Sequence, residues 1–311
     1  MILKVWVGVL KAYMDISVIL TACPATKMDL DDMPYVGGAG FDSNKGCLPG
    51  TREALLEEIT NWINSTEDVR RVYLLSGAAG TGKSTVARTV ARRFYELGRL
   101  GSFFCFNRTY RAERRPDKVF PTMACDLADL DPQIKQALWK IVKDKKSLRT
   151  TRDITAQFEN FILKPAAQLT IAGPIVIILD ALDESGDPSS RQELLSLLAH
   201  RMTKLPVNFR ILLTSRLEED VGRVFSRKPH VFMSTMVNFS SKHDILVYIH
   251  AQLTNNDQHV RLLDDTQCQL LADKSEGLFQ WASTACKAIK ERRGLSYVVL
   301  HPYAVTPPTP T

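Results

Sequence analysis

The chain has 311 residues, 45% of them hydrophobic and 24% charged, close to ordinary globular usage. That balance excludes a fully disordered chain, and no heptad run extends over several turns to support a coiled coil. Forty Lys and Arg against 34 Asp and Glu leave a net charge of +6, too mild to imply nucleic acid by itself.

The excess is local. Residues 88–118 carry nine basic side chains against Glu96, Glu113 and Asp117, so this segment accounts for the whole +6. A solvated helix face followed by a charged loop is the plain reading, and no nucleic-acid partner is expected. The six cysteines (Cys23, Cys47, Cys105, Cys125, Cys268 and Cys286) form no C-x-x-C pair. Free thiols, a reducing compartment and a cytoplasmic protein are the expectation. The histidines show no zinc spacing.

Residues 1–20 are apolar but interrupted by Lys4, Lys11 and Asp15. They make a poor membrane span and only a weak secretion signal, so no membrane partner is expected. An ordinary helix or strand, or the stump of a longer N-terminal region, is the simpler reading. Residues 24–46, rich in Pro, Asp and Gly, read as a linker. An apolar stripe at Leu55, Leu56, Ile59, Trp62 and Ile63 then predicts a helix, with Thr51 as N-cap and Glu53 in its first turn.

Five apolar runs of strand length follow: Val72–Leu75, Ser102–Phe106, Ile175–Leu179, Arg210–Leu213 and Val231–Met236. Helical patterns at 83–97, 119–164, 190–204 and 217–226 separate them. Apolar strands alternating with helices predict an α/β fold, a parallel sheet covered on both faces. From Ser241 onward no strand signal remains. Helical patterns at 241–253, 260–274 and 278–292, the first opened by Ser241 and Asp244 as a capping-box-like start, predict a small helical subdomain. Trp281 and Phe279 are expected inside it. Residues 306–311 form a Pro/Thr tail with nothing to pack.

Most of the functional information lies in Gly77-Ala78-Ala79-Gly80-Thr81-Gly82-Lys83-Ser84, a full G-x-x-x-x-G-K-[ST] match between a strand and a helix. Phosphate needs a concave row of backbone N–H donors, and the glycines allow it. The helix N-terminus adds partial positive charge. Lys83 can reach the β- and γ-phosphates, Ser84 can ligate Mg²⁺, and Thr85 is expected at the α-phosphate. The strand Ile175–Leu179 delivers Asp180 to its C-terminal end, where a carboxylate can hold Mg²⁺. Asp183 and Glu184 add two carboxylates, one of which could orient or deprotonate water, Glu184 being favoured. Thr214-Ser215-Arg216 ends another strand at the same crevice, putting Arg216 where it can sense γ-phosphate charge.

In this order, the phosphate loop, the Asp180-Ala-Leu-Asp-Glu184 block and Thr214-Ser215-Arg216 resemble the NACHT class of STAND signalling NTPases. The similarity is closest to the nephrocystin-like NACHT domains of filamentous fungi. Cys47-Leu-Pro-Gly-Thr-Arg52 looks like that family's leading segment, which contacts the nucleotide base, and Gly277-Leu278-Phe279 with Trp281 is similar to a signature of its helical subdomain. The resemblance covers roughly residues 41–292. It implies a P-loop three-layer sandwich with a five-stranded parallel sheet of order 5-1-4-3-2 and a C-terminal helical subdomain. The expected division is 1–46 as N-terminal segment and linker, 47–240 as NTPase domain, 241–293 as helical subdomain and 294–311 as tail.

The implied activity is slow Mg²⁺-dependent hydrolysis of ATP or GTP as a switch, with protein partners or self-association through the NTPase domain. The sequence has no N-K-x-D element of the GTPase kind, which favours ATP. No winged-helix domain, sensor repeat or preceding effector domain is recognisable, which suggests a fragment or partners in trans. Two other readings stand beside the switch: a nucleotide-holding scaffold without turnover, and a small-molecule kinase using 119–164 as a lid.

Overall fold

A computed structural model describes residues 28–291 except 43, 240 and 256–259. The apolar stretch 1–20 and the Pro/Thr tail lie outside the described residues.

Five parallel strands, β1 (Val72–Ser76), β2 (Leu100–Cys105), β3 (Ile175–Asp180), β4 (Phe209–Ser215) and β5 (Val231–Thr235), form one sheet in the order β2-β3-β4-β1-β5. This is the 5-1-4-3-2 order expected from the resemblance. The register pairs Val72 with both Ile211 and Val231, and Ile177 with both Ser102 and Ile211. The C-terminal ends of the strands, Ser76, Cys105, Asp180, Ser215 and Thr235, therefore lie along one edge.

Successive strand residues point to opposite faces, so each strand feeds two cores. Leu74, Phe104, Ile177, Leu179, Ile211 and Leu213 enter one core. It is completed by α3 (Val119–Leu130), α4 (Pro132–Val142), the helical stretch 154–166 and α5 (Pro188–His200). Tyr73, Leu75, Phe103, Val176, Ile178 and Leu212 enter the other, beneath α1 (Glu53–Asn64) and α2 (Lys83–Glu96). Each fully buried Leu, Ile or Phe contributes roughly 1.5–3 kcal/mol. A short helix, α6 (Glu219–Phe225), packs beside α5. Helices α7 (Lys242–Leu253), α8 (Asp265–Lys274) and α9 (Phe279–Glu291) share a separate small core around Ile245, Ile249, Leu271 and Ala282.

Several expectations need correction. Thr51 does not cap α1: its hydroxyl donates back to Leu48 O, and Arg52 occupies the N-cap in left-handed conformation. The helical pattern 119–164 is broken. Asp131 accepts N–H bonds from Gln133 and Ile134, starting a new helix with Pro132 in its first turn. Further on, a π-helical turn at Phe158–Leu163 precedes Pro165, which has no N–H to donate to a regular ladder. Phe120, Leu138, Phe158 and Phe161 are fully buried, so this block is the body of a core layer and not a lid.

Ser241 and Asp244 form no capping box. The Ser241 hydroxyl donates to Gly277 O, and Asp244 accepts from Arg52 N–H. A two-stranded hairpin, Thr254–Asn255 with Val260–Arg261, interrupts the purely helical region, and the following helix starts at a true capping box of Asp264 with Gln267. The stretch read as a linker is not free chain: Met33, Val36 and Ala39 are buried in the first core, and Ala39 O accepts the Cys105 N–H.

Candidate functional site

The loop between β1 and α2 turns on Gly80 (φ 78°) and Gly82 (φ 96°), a backbone conformation L side chains rarely adopt. Gly77 is needed for space: a Cβ there would sit 2.8 Å from Met236 Cγ. Lys83 is buried and folds back over the loop, donating to Gly77 O at 2.8 Å and Ala78 O at 2.9 Å. Burial pushes its ammonium below the usual range, against the pull of Asp183 and Asp180. Thr81 Oγ1 also donates to Ala78 O, while Ala78 and Ala79 are exposed at the tip.

Asp180, with no solvent exposure, ends β3 beside this loop. Its Oδ1 accepts from Ser84 Oγ at 2.9 Å and Thr214 Oγ1 at 2.6 Å. Its Oδ2 accepts from Cys105 Sγ at 3.3 Å, a thiol that burial and the neighbouring Asp180 charge push up to about 12. Ser84 hydroxyl and Asp180 carboxylate, bonded to each other, are the hard oxygen donors that suit Mg²⁺. Among the described residues no group of three or more His, Cys, Asp and Glu could hold a metal unaided.

Ala181 follows in left-handed conformation (φ 58°), its N–H bonded to Thr214 Oγ1. That turn swings Asp183 and Glu184 across the end of the sheet. Asp183 is buried and paired with Arg216. Glu184 is half-buried, and its Oε2 accepts the Arg108 N–H at 3.0 Å. Behind the turn, fully buried Arg191 donates to Asp183 O and Gly186 O and pairs with Asp220 and Glu218.

A cavity of about 550 Å³ opens along the other flank of the loop, within the roughly 300–1,000 Å³ of small-molecule sites. Gly80, Gly82, Lys83, Ser84 and Thr85 form its floor, and Cys47 and Arg52 of the leading segment one wall. The facing wall comes from the helical subdomain: Tyr248, Phe279, Gln280 and Lys287. Lys45, Arg52, Lys83, Arg88 and Lys287 line it without a carboxylate, so it favours anions.

Arg52 ties the walls together. Its guanidinium donates to Thr81 O at 3.0 Å and Phe239 O at 3.3 Å, its N–H bonds Asp244, and its charge lies 5.0 Å from the Phe279 ring centroid. The Gln280 N–H reaches Gly80 O at 3.1 Å. Phe279 therefore packs against the helical core and also faces the cavity, a role its place in the subdomain pattern did not reveal.

The structure thus gathers Gly77 to Thr85 with Asp180 and Arg52. Asp183 and Glu184 line a separate, smaller cavity of about 240 Å³ with Arg108 and Arg191. Arg88 and Cys105 escaped sequence reasoning. The signal for Arg88 was present, since it lies one turn beyond Ser84 on the same helix face. Cys105 gave none, because only strand pairing brings it to Asp180.

Residues 50–216, just over half of the chain, match the family model described as Nephrocystin 3, N-terminal, and the chain belongs to that family. With the loop geometry above, it is a nucleotide-binding P-loop module. No curated protein matches it in sequence. Among solved structures, Drosophila ORC bound to DNA superposes with a TM-score of 0.50 at 14% identity, over 89% of this chain and 65% of that one. Cdc6p from Pyrobaculum aerophilum superposes with a TM-score of 0.47 at 13% identity, over 84% and 64%. The chain spans less than two thirds of either, and the ORC likeness concerns the α/β fold alone. Among the described residues no helix is long and apolar enough to cross a membrane.

Proposed function

We propose that this member of the Nephrocystin 3, N-terminal family binds a nucleoside triphosphate with Mg²⁺, ATP in preference to GTP, and hydrolyses it slowly as a STAND-type switch. The observation that carries the reading is the cation-lined cavity floored by the phosphate loop and walled by the helical subdomain, with the Ser84–Asp180 pair beside it. In this reading residues 47–240 are the NTPase domain and 241–293 the subdomain that responds to what is bound.

The loop N–H groups and Lys83 would cradle the β- and γ-phosphates, Thr85 would meet the α-phosphate, and Lys83 would leave Gly77 O and Ala78 O to do so. Ser84 and Asp180 would hold Mg²⁺, which supplies charge neutralisation between the phosphates. Glu184 would orient the attacking water and accept its proton. Asp183 would hold Arg216 at the γ-phosphate end. Catalysis in such a site is mainly positioning and electrostatics.

A second reading, nucleotide held without turnover, is favoured by the engagement of both acids, Asp183 with Arg216 and Glu184 with the Arg108 N–H. The experiment is to denature purified chain, identify released nucleotide, and follow phosphate release with Mg·ATP and Mg·GTP. Bound nucleotide with turnover lost in Glu184→Gln supports the switch. Bound nucleotide that never turns over supports the second reading. Unchanged affinity in Lys83→Ala removes the site assignment. The cytoplasmic location and self-association of this module are parts of the proposal that fractionation and light scattering with and without nucleotide would test.

A further inference from the structure

Asp180 presents two different faces. Oδ1 takes both hydroxyl donors, Ser84 and Thr214. Oδ2 takes only the weak Cys105 thiol, and the cation paired with it is Arg88, whose Nη2 lies 3.9 Å away. That distance is an ion pair without a hydrogen bond. A carboxylate with no solvent exposure needs a compensating charge, and in the absence of a divalent cation Arg88 supplies it.

Arg88 is not locked there. Its other described contact is Cys105 Sγ at 4.0 Å, and its side chain keeps 22% exposure toward the nucleotide cavity, which it lines beside Ser84 and Thr85. It lies three residues beyond Thr85 and four beyond Ser84, so all three share one face of α2. A guanidinium so hinged can reach inward to Oδ2 or outward to an anion on the cavity floor.

We propose that Arg88 stands in for the divalent cation: without metal it neutralises Asp180 and contacts a nucleotide phosphate, so that the site retains a nucleoside diphosphate free of metal. The inference rests on the nucleotide-binding reading above and deepens it. Loading of Mg²⁺ on the Asp180 side relieves Arg88 of its partner, so its contribution is largest when metal is absent.

The test is the affinity of the full chain for a fluorescent nucleoside diphosphate, measured in Mg²⁺ and in EDTA, for wild type, Arg88→Gln and Arg88→Lys. A circular-dichroism melt of each variant confirms that it folds. Wild type should bind in both buffers. Arg88→Gln should bind about tenfold or more weaker than wild type in EDTA, the loss expected for one charge-assisted hydrogen bond, and should lose clearly less than that in Mg²⁺. Arg88→Lys should recover part of the EDTA affinity, since it keeps the charge and loses the fork. Equal losses in the two buffers, or no loss in either, would overturn the inference. Wild type that binds in Mg²⁺ and not in EDTA overturns it while leaving nucleotide binding intact. Wild type that binds in neither overturns both.

Discussion

Arg216 donates its Nε to Asp183 Oδ2 at 2.7 Å and its backbone N–H to Asp183 Oδ1 at 2.9 Å. One carboxylate thereby fixes both the direction of the arginine and the end of β4. Burial alone would raise the Asp183 carboxyl, but these bonds hold it below the usual carboxylate range. In the proposed nucleotide site the pair would be a prepared position for charge at the γ-phosphate end, and Arg216 keeps 35% side-chain exposure with which it would meet that charge. Arg216→Ala is expected to reduce phosphate release on the order of 100-fold, the typical effect of removing one preorganised donor. Diphosphate affinity should stay near wild type. Single-turnover release and a diphosphate titration check this, and equal loss in both would show a binding role only.

Gly80 carries two constraints at once. Its φ is +78°, and a Cβ would sit 2.9 Å from Gln280 Cβ. Gly80→Ala should therefore strain the loop by roughly 1–2 kcal/mol and push α9 away. Hydrogen exchange should accelerate at Gln280 and its neighbours together with the loop. Acceleration confined to the loop would show that the Gly80–Gln280 contact does not hold the subdomain.

Arg52 is the latch between the phosphate loop and the helical subdomain through Thr81 O, Phe239 O and Asp244. Its forked geometry reaches these carbonyls from a position only 5% exposed, so Arg52→Lys should fail nearly as badly as Arg52→Ala. Limited proteolysis should cut both variants faster around residues 239–244 than wild type. Wild-type resistance in Arg52→Lys would reduce the latch to a point charge.

Arg191 is 1% exposed and bonded to Asp220, Glu218 and two carbonyls of the Asp183–Gly186 turn. Removing the guanidinium leaves the partly buried Asp220 without its cation and frees the turn. Arg191→Leu is expected to lose about 3 kcal/mol or more of stability in denaturant unfolding. A loss below about 1 kcal/mol would mean that water satisfies these groups.

Asp126 gives a pH dependence. It accepts a hydrogen bond from Ser102 Oγ, lies near Tyr35, has no cation partner among the described residues, and burial pushes its carboxyl up to about 6 from 3.8. The folded state therefore binds the proton more tightly than the unfolded state. Stability falls as pH rises from about 4 to about 6 and stays lower above. Asp126→Asn should raise the melting temperature at pH 7.5 relative to wild type and lose that advantage at pH 4. A constant difference across the range would assign the effect to packing.

The sequence by itself determined the sheet and the phosphate loop. Five apolar runs bounded by turn signals could be buried only as parallel strands between helices, and Gly80, Gly82, Lys83 and Ser84 have few other uses at that spacing. These features are local, so periodicity and backbone stereochemistry expose them. Tertiary structure decided what the local pattern left ambiguous. Asp131 splits a helical run because Thr170 and two N–H groups converge on its carboxylate. Ser241 and Asp244 abandon the cap because Gly277 O and Arg52 offer partners from elsewhere. Cys105 meets Asp180 from 75 positions away, a convergence that strand order alone creates. Long-range pairing carries no sequence signature because its partners are chosen by the sheet register and not by their neighbours in the chain.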